Sequence, residues 1–528
     1  MTNSFREFRD AKMIFVTGSN MVEAHPVAAT YVKNAVKNGG RLIVADPRAH
    51  KLVAFAEMHI PLKVGSDVAL LNGVMNVLIE EDLYDRKFVD SFTTGVDELK
   101  EKVAAYSPKR AGQICGIPAE SIRDLARRLA SVKPVMVCYT LGVTEHTSGV
   151  DNVKSIANLQ MLLGNIGMEG GGVNPLRGQN NVQGACDMGA LPNVMPGYQD
   201  VTSPEVRMKF ENAWDVQGLS DKKGMMMPDM LDGLANGKIK AFYVFGENLA
   251  NTEPDIRHVE ECLKSADFLV VQDIFLNETT CFADLVLPAA AWSENDGTFT
   301  NSERRVNRVR TASRAPGQAK PNWQIFKEVA ERFGHIWSSN SAREIWDREI
   351  SALAPQLAGI TYSRINQDGL QWPCTDKKHP GTQFLHKNGR FTRGRGKFFA
   401  IDWQPAAEVP DEEYPMVLST GRRLYHYHTR TQTGNSFGLN QLLSESVADI
   451  SVEDASKLGI KQGDSIRVES RRGRVDVKAR PTHEVPEGMV WMDFHFRKGN
   501  ANWLTNTAYD PESKTAEYKA CAVRIEKI

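Results

Sequence analysis

Met13-Ile14-Phe15-Val16-Thr17-Gly18-Ser19-Asn20 reads as a short strand of apolar and β-branched residues that ends at a turn. An amphipathic segment over residues 25–37 follows it, and a second strand, Arg41-Leu42-Ile43-Val44-Ala45, stops at Asp46-Pro47-Arg48. Strand, helix and strand at this spacing make a βαβ unit, which requires a parallel sheet. Helical patterns at residues 69–79 and 119–130, and an apolar strand at residues 134–139, extend the unit to a doubly wound α/β domain.

A second α/β block begins at Ala241-Phe242-Tyr243-Val244-Phe245, which ends at Gly246-Glu247-Asn248. Strands at residues 268–271, ending at Gln272-Asp273, and at residues 285–287 continue it. In both blocks glycine and polar residues sit just beyond the carboxyl ends of strands, where open α/β sheets bind ligands, so two related nucleotide sites are expected. Residues 322–330 read as a helix, and charge and proline cluster at residues 407–413 as a linker. After it come short strands at residues 417–419, 465–468, 475–477 and 489–492, with Arg472-Gly473 marking a hairpin turn. A compact β-barrel is expected there. The divisions read from the chain are 1–179, 180–316 (incomplete), 317–403 and 404–528.

Between the two blocks lies Gly170-Gly171-Gly172-Val173-Asn174-Pro175-Leu176-Arg177-Gly178-Gln179-Asn180-Asn181-Val182-Gln183-Gly184-Ala185-Cys186-Asp187-Met188-Gly189. Glycines admit close approach of backbone N–H groups, amides donate and accept, and a guanidinium offers a fixed fork to an anion. This run reads as a polar ligand cradle and not as a core element.

With 528 residues the chain is too long for one core. A net charge of −1 supplies no field to gather nucleic acid, and no run of about eighteen apolar residues suggests a membrane span. A cytoplasmic protein is expected. The seven cysteines (115, 138, 186, 262, 281, 374 and 521) never form a C-x-x-C pair, so neither a disulfide framework nor a cysteine metal site is written in the sequence.

The run Arg177-Gly178-Gln179-Asn180-Asn181-Val182-Gln183-Gly184-Ala185, followed by Asp187-Met188-Gly189, closely resembles the catalytic subunit of molybdenum or tungsten formate dehydrogenases, in the molybdopterin oxidoreductase family. The resemblance spans the chain. It implies two molybdopterin guanine dinucleotides, one per nucleotide-binding half, a Mo or W centre, and a C-terminal barrel of the double-psi type. For the first half it assigns Gly18, Asn20, Glu23, Ala24, Asp46, Pro47, Arg48, Gly65, Asp67, Leu141, Gly142 and Glu145 to the cofactor. For the second it assigns Gly246, Glu247, Asn248, Gln272, Asp273 and Thr279. In the barrel it assigns Arg422, Arg423, His426, Tyr427, His428, Thr429, Asn502, Tyr518 and Lys519, and in the cradle Gly178 and Gln179. Arg177 is the expected catalytic residue: formate has no side chain to grip, so a fixed guanidinium must orient its carboxylate.

The resemblance further implies formate and CO2 as reactants, and a [4Fe–4S] cluster that passes electrons to an iron–sulfur, diaphorase or hydrogenase partner. Family members carry that cluster and a selenocysteine or cysteine metal ligand upstream of the position matching Met1. A selenocysteine codon taken as a stop, with translation read from the next methionine, is the expected origin of such a chain. A second α/β domain lacking part of itself is expected to expose apolar surface. The competing readings are another molybdopterin oxidoreductase, such as nitrate reductase, and a noncatalytic cofactor-binding fragment.

Overall fold

Strand Met13–Thr17 is the centre of a five-stranded parallel sheet in which Met58–Ile60, Arg41–Ala45, Met13–Thr17, Val135–Tyr139 and Val173–Pro175 lie side by side in that order. Alternation along these strands divides two cores. Met13, Phe15, Ile43, Val135 and Val137 pack under the helices Asp67–Glu80, Ala119–Ala130 and Gly149–Leu162. Ile14, Val16, Leu42, Val44, Met136 and Cys138 pack on the other face with Phe8 and the helix Pro26–Lys37. Sandwiching between helical layers is why the three central strands are apolar through residues 13–16, 42–45 and 135–138, and each fully buried aliphatic contributes about 1.5–3 kcal/mol. Neighbours of Met13–Thr17 on its two sides come from chain segments before and after the crossover, so the strand order reverses there. Such a switch point opens a crevice at the carboxyl ends.

The C-terminal region is a closed six-stranded barrel of Met416–Gly421, Met489–Asp493, Val447–Ser451, Arg474–Thr482, Ser465–Glu469 and Cys521–Lys527. Two of its pairings are parallel, Met416–Gly421 with Met489–Asp493 and Val447–Ser451 with Arg474–Thr482; the other four are antiparallel. Inward residues such as Leu418, Ile450, Ile466, Val490 and Val523 fill it. Closure leaves no unpaired strand edge.

This computed structural model describes residues 1–528, and its contacts cluster into two units. One comprises residues 1–176, 248–260 and 384–528; the other comprises 177–247 and 261–383. The grouping differs from the four-part division read from the sequence. The first α/β region and the barrel share a unit, and residues 248–260 belong to it because barrel-side amides hold them: Asn500 donates to Asn251 Oδ1 (2.8 Å), and Asn502 to the Thr252 carbonyl (2.8 Å).

The second unit contains a three-stranded parallel sheet, Leu285–Pro288, Phe268–Asp273 and Ala241–Phe245, and an antiparallel one of Gly297–Thr300, Arg305–Val309 and Leu370–Gln371. Its core gathers Val306, Trp346, Leu357, Ile360 and Tyr362. Phe245, Phe268 and Leu285 on one face of the parallel sheet are exposed, as are Phe333 (80%) and Ile336 (85%). No helix of the chain is long and apolar enough to cross a membrane.

One expectation is corrected. The run 170–189 reads as a ligand cradle throughout, yet Gly170, Gly171, Gly172, Asn174 and Leu176 are buried and Val173–Pro175 is the outermost strand of the sheet. The glycines let backbones pass where side chains cannot: a Cβ on Gly170 would lie 2.9 Å from the Asp10 carbonyl carbon. Polar composition here reflects close chain packing in the first seven residues, and only the part from Arg177 onward stands as a loop and short helix.

Candidate functional site

Loops at the strand ends of the first unit converge on a cleft, at the side of an open parallel sheet where ligands bind. Gly18 begins it. Its φ is +54°, and a Cβ there would lie 2.8 Å from the Gly142 carbonyl carbon, so the loops after Met13–Thr17 and Val135–Tyr139 meet backbone to backbone. Gly142 N and Thr140 Oγ1 both donate to the Gly18 carbonyl, at 3.1 and 2.8 Å. Asp46, at the end of Arg41–Ala45, accepts from Arg48 N (2.9 Å) and so turns the chain that carries the Arg48 side chain inward. Asp67 opens the helix Asp67–Glu80.

The barrel supplies the other wall through Ser419, Thr420, Gly421, Arg422, Met489 and Trp491, together with Lys519. Arg48 stacks on the Trp491 ring at 4.0 Å from its centroid, and Arg423 at 4.6 Å. Lys519 bridges Glu145 (2.6 Å) and donates to the Thr420 carbonyl (3.0 Å). Arg422 stacks on Phe494 (5.2 Å) and lines the cleft.

Burial shapes the ionisation of these groups. The Asp67 carboxyl is pushed up to about 6 by burial, which outweighs the opposing pull of His146. Burial lowers the Lys519 ammonium and the Arg422 guanidinium from their usual values, with Glu145 opposing in both cases. His428 is pushed down to about 3 and His495 to about 4, first by burial and then, for His428, by Arg422. Two neutral imidazoles therefore flank the cationic wall at neutral pH.

Gly18, Asn20, Ala24, Asp46, Pro47, Arg48, Gly65, Asp67, Leu141, Gly142, Arg422 and Lys519 of the expected set come together in this cleft. Glu145 reaches it through its bridge to Lys519, whereas Glu23 turns to Lys51 (3.9 Å). Arg423 is engaged by Asp493 (2.8 Å) and Asp449 (3.1 Å), both fully buried. His426 contacts Thr433 Oγ1 (3.1 Å) and the Leu443 carbonyl (2.7 Å); His428 holds a left-handed φ of +48°, and its carbonyl meets His495 Nδ1. Thr429 is buried against Thr431 (3.0 Å), and Tyr427 is 41% exposed. Tyr518 donates to the Thr252 carbonyl (3.0 Å), and Asn502 holds the segment that Asn248 begins as a buried N-cap.

In the second unit, Gly246 N donates to the Gln272 carbonyl (2.9 Å), with Glu247 next to it. Gln272 accepts from Tyr243 (2.5 Å) and donates to Asn322 (2.9 Å); Asp273, raised by burial, accepts from Asn277 (2.8 Å), and Thr279 is fully buried nearby in sequence. Arg177 lies apart from these strand ends in sequence, before Gly178 and Gln179. Its N–H donates to Ser302 Oγ (3.1 Å) and its guanidinium to Cys186 Sγ (3.4 Å). Asn181, left-handed at φ +63°, caps the helix Val182–Asp187 and accepts from Thr300 N (2.9 Å).

Lys63, Thr140, His146, Thr420 and Trp491 line the cleft without having been singled out. Thr140 follows a recognised strand end and was legible by position. Trp491, inside a barrel strand, carried no local signal.

The residues lining the cleft have the chemistry of a phosphate-binding site. Ser19 Oγ and Asn20 Oδ1 are buried without a partner, an arrangement that costs about 1–3 kcal/mol per atom unless a ligand meets it. Arg48, Lys63, Arg422 and Lys519 suit phosphates, while Asp46 and Asp67 suit the N–H edge of a base or sugar hydroxyls.

Comparison with known proteins agrees with this chemistry. Residues 1–332 match the family model for molybdopterin oxidoreductase, and residues 416–522 match that for the molydopterin dinucleotide binding domain. The chain is 48% identical over 532 residues to the F420-dependent formate dehydrogenase 2 subunit alpha of Methanococcus maripaludis, covering 100% of this chain and 78% of that protein. It is 40% identical over 533 residues to formate dehydrogenase H of Escherichia coli (strain K12), covering 100% and 74%. Among solved structures, acetylene hydratase from Pelobacter acetylenicus has the same fold, with a TM-score of 0.76 at 20% identity over 100% of this chain and 79% of that one.

Proposed function

The chain belongs to the molybdopterin oxidoreductase family, and we propose that within it the chain is the catalytic subunit of a formate dehydrogenase, converting formate to CO2 or running the reverse. The observation that carries the reading is similarity along 100% of the chain to proteins named as formate dehydrogenases, at 48% and 40% identity. Oxidation of formate releases CO2, one proton and two electrons, and a pterin-held Mo or W supplies the two-electron acceptor.

The residues of this chain do the binding and orienting. Gly18, Asn20, Asp46, Arg48, Asp67, Gly142, Arg422 and Lys519 hold one molybdopterin guanine dinucleotide in the cleft. The Arg48 shelf on Trp491 gives a phosphate a cation that cannot swing away. Gly246, Glu247, Gln272, Asp273 and Thr279 hold the second. Arg177 receives the carboxylate of formate in its planar fork, which leaves the C–H bond as the part directed away from the guanidinium. Gly178 and Gln179 line the same loop. A [4Fe–4S] cluster and an electron-accepting partner subunit complete the path; a reducing, cytoplasmic setting suits the seven free thiols.

Holoenzyme purified with its partner chains tests the reading through formate-dependent reduction of a viologen dye, alongside metal and pterin analysis. Formate-dependent turnover is expected. Turnover with nitrate and none with formate would overturn it in favour of another activity of the family.

A further inference from the structure

Asp187 is 1% exposed and accepts three hydrogen bonds, from Trp372 Nε1 (2.7 Å), Gln183 Nε2 (2.8 Å) and the Tyr198 hydroxyl (2.9 Å). Three neutral donors converging on one carboxyl favour its charged form and oppose the rise that burial imposes on it. The donors are held in turn. Trp372 stacks on the Arg304 guanidinium (5.6 Å), and Arg304, 2% exposed, donates to the carbonyls of Thr382 and Gln383 (3.1 Å each).

The same shell concentrates backbone strain. Asn181, Tyr198 and Arg304 adopt φ values of +63°, +59° and +66°, a region that residues with a Cβ enter at a cost. Such residues persist only where their surroundings hold them, and they gather at functional sites. Arg177 is tied to residues next to this shell. Its guanidinium donates to Cys186, the residue before Asp187, and its N–H is tied to Ser302, two residues before Arg304; burial raises the Asp187 carboxyl from its usual value, and its three hydrogen bonds and then the Arg177 charge oppose that rise.

We propose that Asp187 is a positioning residue: a carboxylate held by Tyr198, Gln183 and Trp372 at the end of the helix that carries Cys186, the contact of the Arg177 guanidinium, which offsets that group's charge so that a small monocarboxylate is oriented without being gripped tightly. The inference rests on the reading that Arg177 takes the substrate. It explains why a site for so small an anion is backed by a buried carboxylate. An uncompensated guanidinium would bind the ground state more strongly and at a less defined angle, and stronger ground-state binding does not raise turnover.

The test compares Asp187→Asn and Tyr198→Phe holoenzymes with the unaltered one for kcat and KM with formate, metal and pterin content, and melting temperature. Asp187→Asn is expected to lower KM by roughly threefold or more while lowering kcat about tenfold or more, at unchanged cofactor content. Tyr198→Phe, which leaves the carboxylate in place with one donor fewer, should move both constants the same way by less, and it carries the test alone if Asp187→Asn does not fold. An unchanged or raised KM in both variants, or a fall in kcat that merely follows lost cofactor, would overturn the proposal. Arg177→Lys separates this from the reading beneath it: normal formate turnover in that variant overturns both, whereas lost turnover there with no split at Asp187 overturns the positioning role alone.

Discussion

The Arg48 guanidinium lies 4.0 Å from the centroid of the Trp491 ring, so a loop of the doubly wound sheet and a strand of the barrel meet in one stacked pair. Arg423, 4.6 Å from the same ring, is fastened to Asp449 and Asp493, so the ring stands on a rigid base. Trp491 is itself 3% exposed.

Replacing Trp491 by Ala should therefore destabilise the protein by about 3–5 kcal/mol. Trp491→Phe should retain most of the packing and lose about 1 kcal/mol of cation–π attraction. Denaturant unfolding checks the first figure. Dinucleotide content after purification should fall in both variants, because Arg48 loses the surface that aims it.

Gly18→Ala introduces a Cβ 2.8 Å from backbone atoms of Gly142 and Val143, at a φ of +54°. Backbone on the far side cannot yield as a flexible side chain would. A loss of about 1–3 kcal/mol is expected from the conformation alone, with cofactor content falling further than stability. Gly246→Ala, where a Cβ meets nothing within 4 Å, is the comparison that separates φ strain from collision.

Asp67 and His495 should give pH dependences of opposite sign. The folded Asp67 carboxyl is raised to about 6 from 3.8, so the stability attached to its protonated form is fully present below about 3.8 and is lost as pH rises through about 6. Asp67→Asn should remove that loss, and in the cofactor-free protein it should gain on the order of 1–3 kcal/mol at pH 7. Melting temperatures of the two proteins should converge below pH 4 and diverge above 6; parallel curves would refute the assignment.

His495 has its folded value lowered to about 4 from 6.5, so its contribution is fully present above 6.5 and is lost as pH falls through about 4. His428, lowered to about 3, acts in the same direction. His428→Asn suits the left-handed backbone and cannot take up the proton. A shallower acid limb in the melting curve of that variant is the expected result.

Arg177→Lys should leave cofactor content intact and lower kcat/KM for formate about 100-fold, since an ammonium cannot reproduce a two-point grip on a carboxylate. Steady-state dye reduction with formate measures it. Near-normal kcat/KM would move Arg177 to a structural or phosphate-binding role.

Much of this arrangement was written locally. An unbroken apolar strand followed by a glycine turn, as at Met13–Thr17, is readable because burial on two faces leaves no polar alternation. The strand-end residues Gly18 and Asp46 are readable for the same reason, since an open parallel sheet puts its ligand side at the carboxyl ends and chain order reveals those ends, whereas Gly142 was implied only by the family resemblance. The hairpin at Arg472-Gly473 likewise follows from adjacent residues.

Tertiary structure alone decided which groups are engaged within the protein and which face a ligand. Arg423 and Arg422 are neighbours in a run that reads as uniformly cationic, yet Arg423 is bound by carboxylates 26 and 70 residues away while Arg422 lines the cleft. The Gly170–Leu176 segment looked like loop, yet it is largely buried and its Val173–Pro175 part is the outermost strand, because the glycines before it let backbones pass where side chains could not. Asp187 gained its meaning from Trp372, 185 residues downstream, and Arg48 from Trp491. Local pattern records whether a residue is buried and in what periodicity, but the partner of a buried charge is set by how distant segments pack, and that packing is selected by the whole core at once.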